Sequence, residues 1–183
     1  MKTSIETRLM EPRDLESLRK ICCEAYSQNF YQHWEPGGLE NYLESVFGIN
    51  VLKNELDCTE IQYHVAIIKH EPVAFMKLNL SSNLPNHNPE AGIALEKIYI
   101  LPQFKRIKIG KKLLDLAFEI ARINNKEILW LAVIDTNVEA IAFYEMAGFK
   151  FHSKTHVDYP KFKQELKGMW RMYFDLSKEK IIA

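Results

Sequence analysis

The chain reads as a mixed α/β protein, with about four helices packed on a central sheet of about six to seven strands. Three observations predict this. Apolar residues recur at helical spacing in some stretches: Gly110, Leu113, Leu114, Ala117, Phe118 and Ala121 fall at i, i+3, i+4, i+7, i+8 and i+11. Other stretches, such as ALEKIYIL and ILWLAV, are short apolar runs rich in β-branched residues. The two kinds are interspersed along the chain, the pattern of helices laid on a sheet.

Taken in order, residues 5–9 read as a first strand. Glu11-Pro12-Arg13-Asp14 opens a helix, with Pro12 near its first position. Leu15, Leu18, Ile21, Cys22 and Ala25 form that helix's buried stripe. The breaker cluster HWEPGG precedes a second helix over about 39–47, and one or two further turns follow at 51–56. Residues 63–69 and 73–80 read as a hairpin, and 81–92, with Pro85 and Pro89, as a loop. A central strand over 94–101 leads into the helix beginning near Gly110, which stops at Asn124-Asn125-Lys126. ILWLAV, apolar throughout, suits a strand covered on both faces. Asp135-Thr136-Asn137 caps a last helix that ends at Gly148. Residues 149–157 and 169–176 make a final strand pair around a charged loop. The strand–helix–strand unit over 94–133 predicts a right-handed crossover.

The 183 residues suffice for one globular domain with a sizeable core. Net charge is zero, which gives no case for a nucleic-acid or membrane surface. Yet residues 1–60 carry eleven acids and six bases, a balance of −5, so the rest carries +5. Cys22, Cys23 and Cys58 are odd in number and lack metal spacing, which predicts reduced, mostly buried thiols and no metal. The opening MKTSIETRLMEPRD has no apolar core, so no signal peptide is expected. No run approaches the roughly 20 apolar residues of a membrane span. A cytoplasmic protein is the expectation.

The stretch from Leu101 to Ala121 organises the rest. Lys105, Arg106, Lys108, Lys111 and Lys112 are five cations within eight residues, with no acid among them. They crowd a helix start, where the macrodipole disfavours cations. A polyanion there would offset the repulsion, and the unpaired N–H groups of a helix N-terminus suit a phosphate. A solvated charged surface is the plainer alternative.

These residues resemble the GNAT N-acetyltransferases. That family's pyrophosphate signature, Q/R-x-x-G-x-G/A, aligns with Lys105-Arg106-Ile107-Lys108-Ile109-Gly110. Its second signature, N-x-x-A-x-x-(F/L)-Y-x-x-x-G-F, is similar to Asn137, Ala140, Phe143, Tyr144, Gly148 and Phe149. The resemblance spans nearly the whole chain, and LENYLESVFGINVLKNEL and IALEKIYILPQF are similar to the PaiA-type spermidine/spermine acetyltransferases. Two residues depart from the pattern. Lys105 stands at the Gln/Arg position, where its backbone N–H can serve. Lys108 stands at the first glycine, where a lysine fits with helical dihedrals and its side chain turned outward.

The resemblance implies a GNAT fold, a single N-acetyltransferase domain over 1–183, and acetyl transfer from acetyl-CoA to a primary amine by direct attack. It implies Tyr144 as the acid that protonates the departing thiolate, favoured by the whole motif over a core tyrosine beside Phe143. It implies Glu96 as the base for the acceptor, against a salt-bridge alternative. Ile98, Tyr99 and Ile100 would offer main-chain groups to the acyl and pantetheine part. Lys105, Arg106, Lys108, Ile109, Gly110 and Lys111 would surround the pyrophosphate, and Asn137 would bond CoA, cap the helix, or both. Acceptor residues are sought in Glu35, Glu40 and Glu44, in His156 with its strand neighbour His152, in Trp34, and in the 158–168 loop. Polyamines lead as acceptor. A protein or peptide amine, another small amine, and a non-catalytic CoA-binding regulator are the alternatives, and a homodimer is allowed.

Overall fold

The computed structural model describes residues 4–87 and 91–178. In chain order its elements are β1 (Glu6–Leu9), α1 (Leu15–Phe30), α2 (Gly38–Phe47), α3 (Ile49–Leu56), β2 (Ile61–Ile68), β3 (Glu71–Asn79), β4 (Gly92–Ile100), α4 (Ile109–Ile123), β5 (Ile128–Ile134), α5 (Val138–Met146), β6 (Lys150–His156) and β7 (Gly168–Asp175). Seven strands stand among the described residues, the upper end of the expectation. The five α-helices exceed the expected four because residues 49–56 form a helix of their own, α3. Pro12–Asp14 is a short 3-10 turn before α1 rather than the start of α1 itself.

The strands form one sheet in the order β1-β2-β3-β4-β5-β7-β6, with only β4 and β5 parallel. Two cores lie on its opposite faces. One packs α4 and α5 on the sheet through Leu113, Leu114, Ala117, Ile141 and Tyr144. The other packs α1, α2 and α3 through Leu18, Cys22, Tyr42, Phe47 and Leu52. The stripe read in α1 is the buried one: Leu18, Ile21, Cys22 and Ala25 are all buried, with Leu15 packed at the margin. ILWLAV in β5 is less enclosed than its composition predicts, because Ala132 is exposed. Of the cysteines, Cys22 is buried, Cys23 partly so, and Cys58 is exposed, which corrects the expectation of mostly buried thiols. No helix among the described residues is long and apolar enough to cross a membrane.

Two departures from regular pairing shape the centre of the sheet. The parallel ladder between β4 and β5 joins only Gly92–Ala94 to Ile128–Trp130, although both strands run on. Beyond Ala94 they part. On the other side of β4, Lys77 faces Lys97 while Leu78 faces Leu95, so Glu96 is an extra residue, a β-bulge. Ile93, Leu95 and Ile98 pack on the α4 side. The bulge turns Glu96 and Lys97 together toward the α1–α3 side, where strict alternation would send only one of them.

Candidate active site

The gap between β4 and β5 supplies unpaired main-chain groups. Leu101 N–H donates to Val73 O at 3.0 Å, so alternation along the antiparallel ladder turns Lys97, Tyr99 and Leu101 toward β3. Ile98 and Ile100 point the other way, into the gap. Asn29 Nδ2 caps the Ile100 carbonyl at 2.9 Å, which leaves Ile98 N–H and C=O and Ile100 N–H facing it. Tyr99, expected with its neighbours to offer main-chain groups, is therefore turned to β3. Its ring packs edge-on against Tyr26, Phe30 and Phe75.

Below the gap the chain turns into α4. The first main-chain bond of the helix is Lys112 N–H to Lys108 O, 3.0 Å. Arg106, Ile107, Lys108, Ile109, Gly110 and Lys111 precede it, and among the described residues their N–H groups have no partner. Six consecutive free donors at a helix start form an anion cradle. Lys105 is outside it, because its N–H is bonded to Pro102 O at 3.2 Å; the backbone role read for it is already taken. Lys108 lies at φ 70°, ψ 15°, left-handed rather than helical, and so keeps the conformation a glycine would have there. Arg106 is left-handed as well, at φ 65°. A Cβ on Gly110 would meet Ile100 Cδ1 at 3.4 Å and Phe143 Cζ at 3.6 Å, so this glycine marks close packing of α4 on β4 and α5.

The five cations do not all crowd one point. Lys111 Nζ pairs with Asp115 one turn on, at 2.8 Å, and Lys112 Nζ donates to Ile5 O on the way into β1. Arg106 lies 3.9 Å from Glu139 of α5. The repulsion inferred from sequence is thus partly relieved within the protein, and the free N–H groups, more than the ammonium groups, define the cradle.

Tyr144 lies in α5 and Asn137 immediately precedes it, and this helix borders the gap from the α4 side. Asn137 is the N-cap: its Oδ1 accepts from Ala140 N–H at 3.2 Å, and its amide nitrogen stays available to a ligand. Tyr144 is 7% exposed and packs against Phe143 and Phe149. Its hydroxyl has no hydrogen bond among the described residues, yet it is not wholly sealed from solvent. Burial alone pushes its pKa above that of an ordinary phenol. It is therefore a proton donor throughout the neutral range.

Across β4 lies a chain of charges. Tyr63 Oη donates to Glu55 Oε2 at 2.5 Å, Lys77 Nζ reaches Glu55 Oε1 at 2.5 Å, and Lys77 also meets Glu96 Oε2 at 2.9 Å. Asn79 Nδ2 donates to Glu96 Oε1 at 3.2 Å. Burial pushes the Glu96 carboxyl up, but Lys77, Lys97 and Asn79 outweigh it and hold the group below the ordinary carboxylate range. Lys77, burial notwithstanding, is held above the ordinary lysine value by Glu96 and Glu55. Among the described residues Lys97 makes no ion pair, although Glu96 and Glu55 favour its charge from a distance. Its Nζ lies 5.9 Å from the centre of the Phe47 ring, and burial and Lys77 pull its pKa down.

The wall above these charges is aromatic. Tyr26 stacks on Tyr42 at 4.3 Å, Trp34 lies 4.9 Å from both Tyr42 and Phe162, and Tyr159 meets Tyr42 edge-on at 4.9 Å. Trp34 is thereby core. The 158–168 loop is strapped to the segment before α2: Glu35 N–H donates to Lys161 O at 2.8 Å and Lys163 N–H to His33 O at 2.9 Å. Glu35, Glu40 and Glu44 are exposed, and Glu44 is tied to Arg19 at 3.2 Å. His156 is exposed at the end of the edge strand β6, whereas His152 turns to His87 and Tyr173. These acceptor candidates are not brought together. Sequence reasoning missed Glu55, Lys77 and Lys97; the available signal was a lysine inside each of two apolar strands, VAFMKL and IALEKIYI. No group of three or more His, Cys, Asp or Glu that could hold a metal is present among the described residues.

The fold is shared with known proteins. A structure of the PaiA N-acetyltransferase from Thermoplasma acidophilum in complex with coenzyme A superposes with TM-score 0.73, at 22% identity over 94% of this chain and 99% of that one. A probable acetyltransferase from Staphylococcus epidermidis gives 0.74 at 20% identity, over 94% and 99%. A curated relative, described as an uncharacterized N-acetyltransferase in the pepI 3' region of Lactobacillus delbrueckii subsp. lactis, is 24% identical over 146 residues, 80% of this chain and 84% of that protein. The model of the Acetyltransferase (GNAT) family matches residues 18–149, from within α1 through the cradle to the Gly148-Phe149 end of α5. With the free donors of the cradle lying inside that match, the chain belongs to the GNAT acetyltransferase family and is an N-acetyltransferase that uses acetyl-CoA.

Proposed function

We propose that residues 1–183 are one N-acetyltransferase domain that transfers acetyl from acetyl-CoA to a primary amine of a polyamine such as spermidine or spermine. The observation that carries this reading is the run of six free N–H groups from Arg106 to Lys111 beneath the unpaired stretch of β4. The residues fit the cofactor: the cradle suits a diphosphate, and Ile98 offers a donor and an acceptor in the gap for an extended amide-bearing chain. Bound acetyl-CoA supplies a thioester-activated acetyl group. Tyr144 then holds a proton at Oη for the departing sulfur, and Ile98 N–H and Ile100 N–H are the free donors of β4 that face the gap for a developing oxyanion.

Support for a polyamine is chemical. Glu96, held ionised by Lys77, is a weak base but a good counter-ion for an ammonium group, and aromatic faces nearby favour cations. The acidic balance of residues 1–60, with Glu35 and Glu40 exposed beside the aromatic wall, adds attraction for a second cationic centre. The PaiA structure with coenzyme A is of the same fold. Free thiols suit the reducing cytoplasm.

The test is acetyl-CoA turnover by thiol release across a panel of polyamines, peptides and simple amines. Spermidine and spermine are expected to lead. Preference for a peptide N-terminus would overturn the acceptor assignment. Tyr144→Phe should lower kcat by about 10- to 10,000-fold with CoA affinity little changed. Full activity in that variant would remove Tyr144 from the reaction.

A further inference from the structure

Lys77 and Lys97 are directly opposed on β3 and β4. Like charges in such a pair repel. The two nearby carboxylates do not divide between them. Glu55 and Glu96 both pair with Lys77, at 2.5 and 2.9 Å. Lys97 makes no ion pair and no hydrogen bond among the described residues, and has only the Phe47 ring beneath it. Its Nζ is not wholly sealed from solvent, so this partly buried side chain still reaches open space. The bulge at Glu96 is what brings it there. Lys97 and the ammonium-attracting Glu96 share one face of β4, next to the free main chain of Ile98.

We propose that Lys97 is the general base that takes the proton from the acceptor's ammonium group. The role rests on the acetyltransfer reading above. In the step an N–H bond of the ammonium breaks and its proton joins the lone pair on Lys97 Nζ. A neutral amine, free to attack, and a lysine ammonium remain, and the lysine later yields the proton to solvent. The groups that bear on Lys97 are Lys77 of β3, which opposes its charge, and Glu96 of β4, Glu55 of α3 and Cys22 of α1, which favour it; burial and Lys77 prevail. Two lysines whose surroundings drive their proton affinities apart fit an acid–base assignment: Lys77 is held up by its two carboxylates, and Lys97 is pulled down by burial and Lys77. Buried lysines are suited to this work because their charged form is the one that burial penalises.

Two measurements test the role. The first is kcat/KM for spermidine against pH in wild type, Lys97→Met and Lys97→Arg. Arginine keeps the positive charge but cannot act as a base, so both variants should lose about 100- to 10,000-fold at pH 7 and recover as the pH nears the acceptor's own pKa. The second uses wild-type protein carrying 13Cε-labelled lysine, in which the Lys97 resonance should titrate at lower pH than those of the exposed lysines. Lys97→Arg within about threefold of wild type, or Lys97 titrating with the exposed lysines, overturns the role alone. A wild-type chain that acetylates no amine overturns the function beneath it and this role together.

Discussion

Lys108 occupies a left-handed backbone position, which costs an L-residue about 1–2 kcal/mol and glycine almost nothing. The greater freedom of glycine in the unfolded chain returns about 0.5–1 kcal/mol of that. Lys108→Gly is therefore expected to raise stability by up to about 1 kcal/mol, read by thermal or urea unfolding. Because the cradle's donors are main-chain groups, the same variant should bind coenzyme A within a few-fold of wild type by calorimetric titration. A loss of a hundredfold would mean that the ammonium group, not the backbone, holds the phosphates. A lysine at a position where only the dihedral matters is legible in sequence as a missing glycine. Its sequence does not say whether the dihedral survives the exchange. The neighbouring cations settled otherwise than their clustering predicts, since Lys111 and Lys112 reach Asp115 and Ile5, and the latter contact joins residues 107 positions apart.

At the scale of elements, α5 shows what periodicity cannot decide. It is apolar on nearly every side, VEAIAFYEM, so its pattern names no inner face. Packing chooses: Ile141 and Tyr144 go inward, while Val138 and Met146 remain exposed. Gly148 ends the helix at φ 93°, and a Cβ there would lie 2.8 Å from Phe174 Cε2. Both features oppose a side chain, so Gly148→Ala should destabilise by about 1–3 kcal/mol in urea unfolding. As α5 carries Tyr144, kcat should fall with it; an unchanged unfolding midpoint would show that β7 yields freely. The bulge in β4 is the other element-level device. Nothing in IALEKIYI marks Glu96 as the extra residue, because a bulge is defined by the register of the partner strand, and β3 carries its own side of that register.

Across the whole molecule, the α4-side core excludes charge where the opposite side holds the Lys77 ion pairs, and His64 is where this becomes measurable. It is buried on the α4 face of β2, beside Gln62 Oε1 at 3.1 Å, and burial lowers its pKa to about 4. The unfolded chain, titrating near 6.5, binds the extra proton first. Between about pH 6.5 and 4 the unfolded state thus carries more protons than the native state, and stability falls as pH falls. The loss amounts to about 3 kcal/mol at most over that window. His64→Gln, which cannot titrate, should flatten the slope of unfolding free energy there. An unaltered slope would place the acid sensitivity elsewhere, with the Glu96–Lys77 pair next in line, since a carboxylate of lowered pKa loses its contribution only at lower pH.

By itself the sequence determined the class of fold, the strand–turn–helix that holds the amide cradle, the capping role of Asn137 and the helix end at Gly148. All of these rest on local spacing and on the chemistry of single turns, which a linear pattern records. Tertiary structure alone decided which main-chain groups of β4 face the gap, and that Glu96 and Lys97 share a face. It also decided that Glu55 and Glu96 both pair with Lys77, while Lys97 makes no ion pair among the described residues. Each of these depends on the register of a strand contributed from elsewhere in the chain, and burial then converts that register into shifted proton affinities, so no local pattern could hold the information.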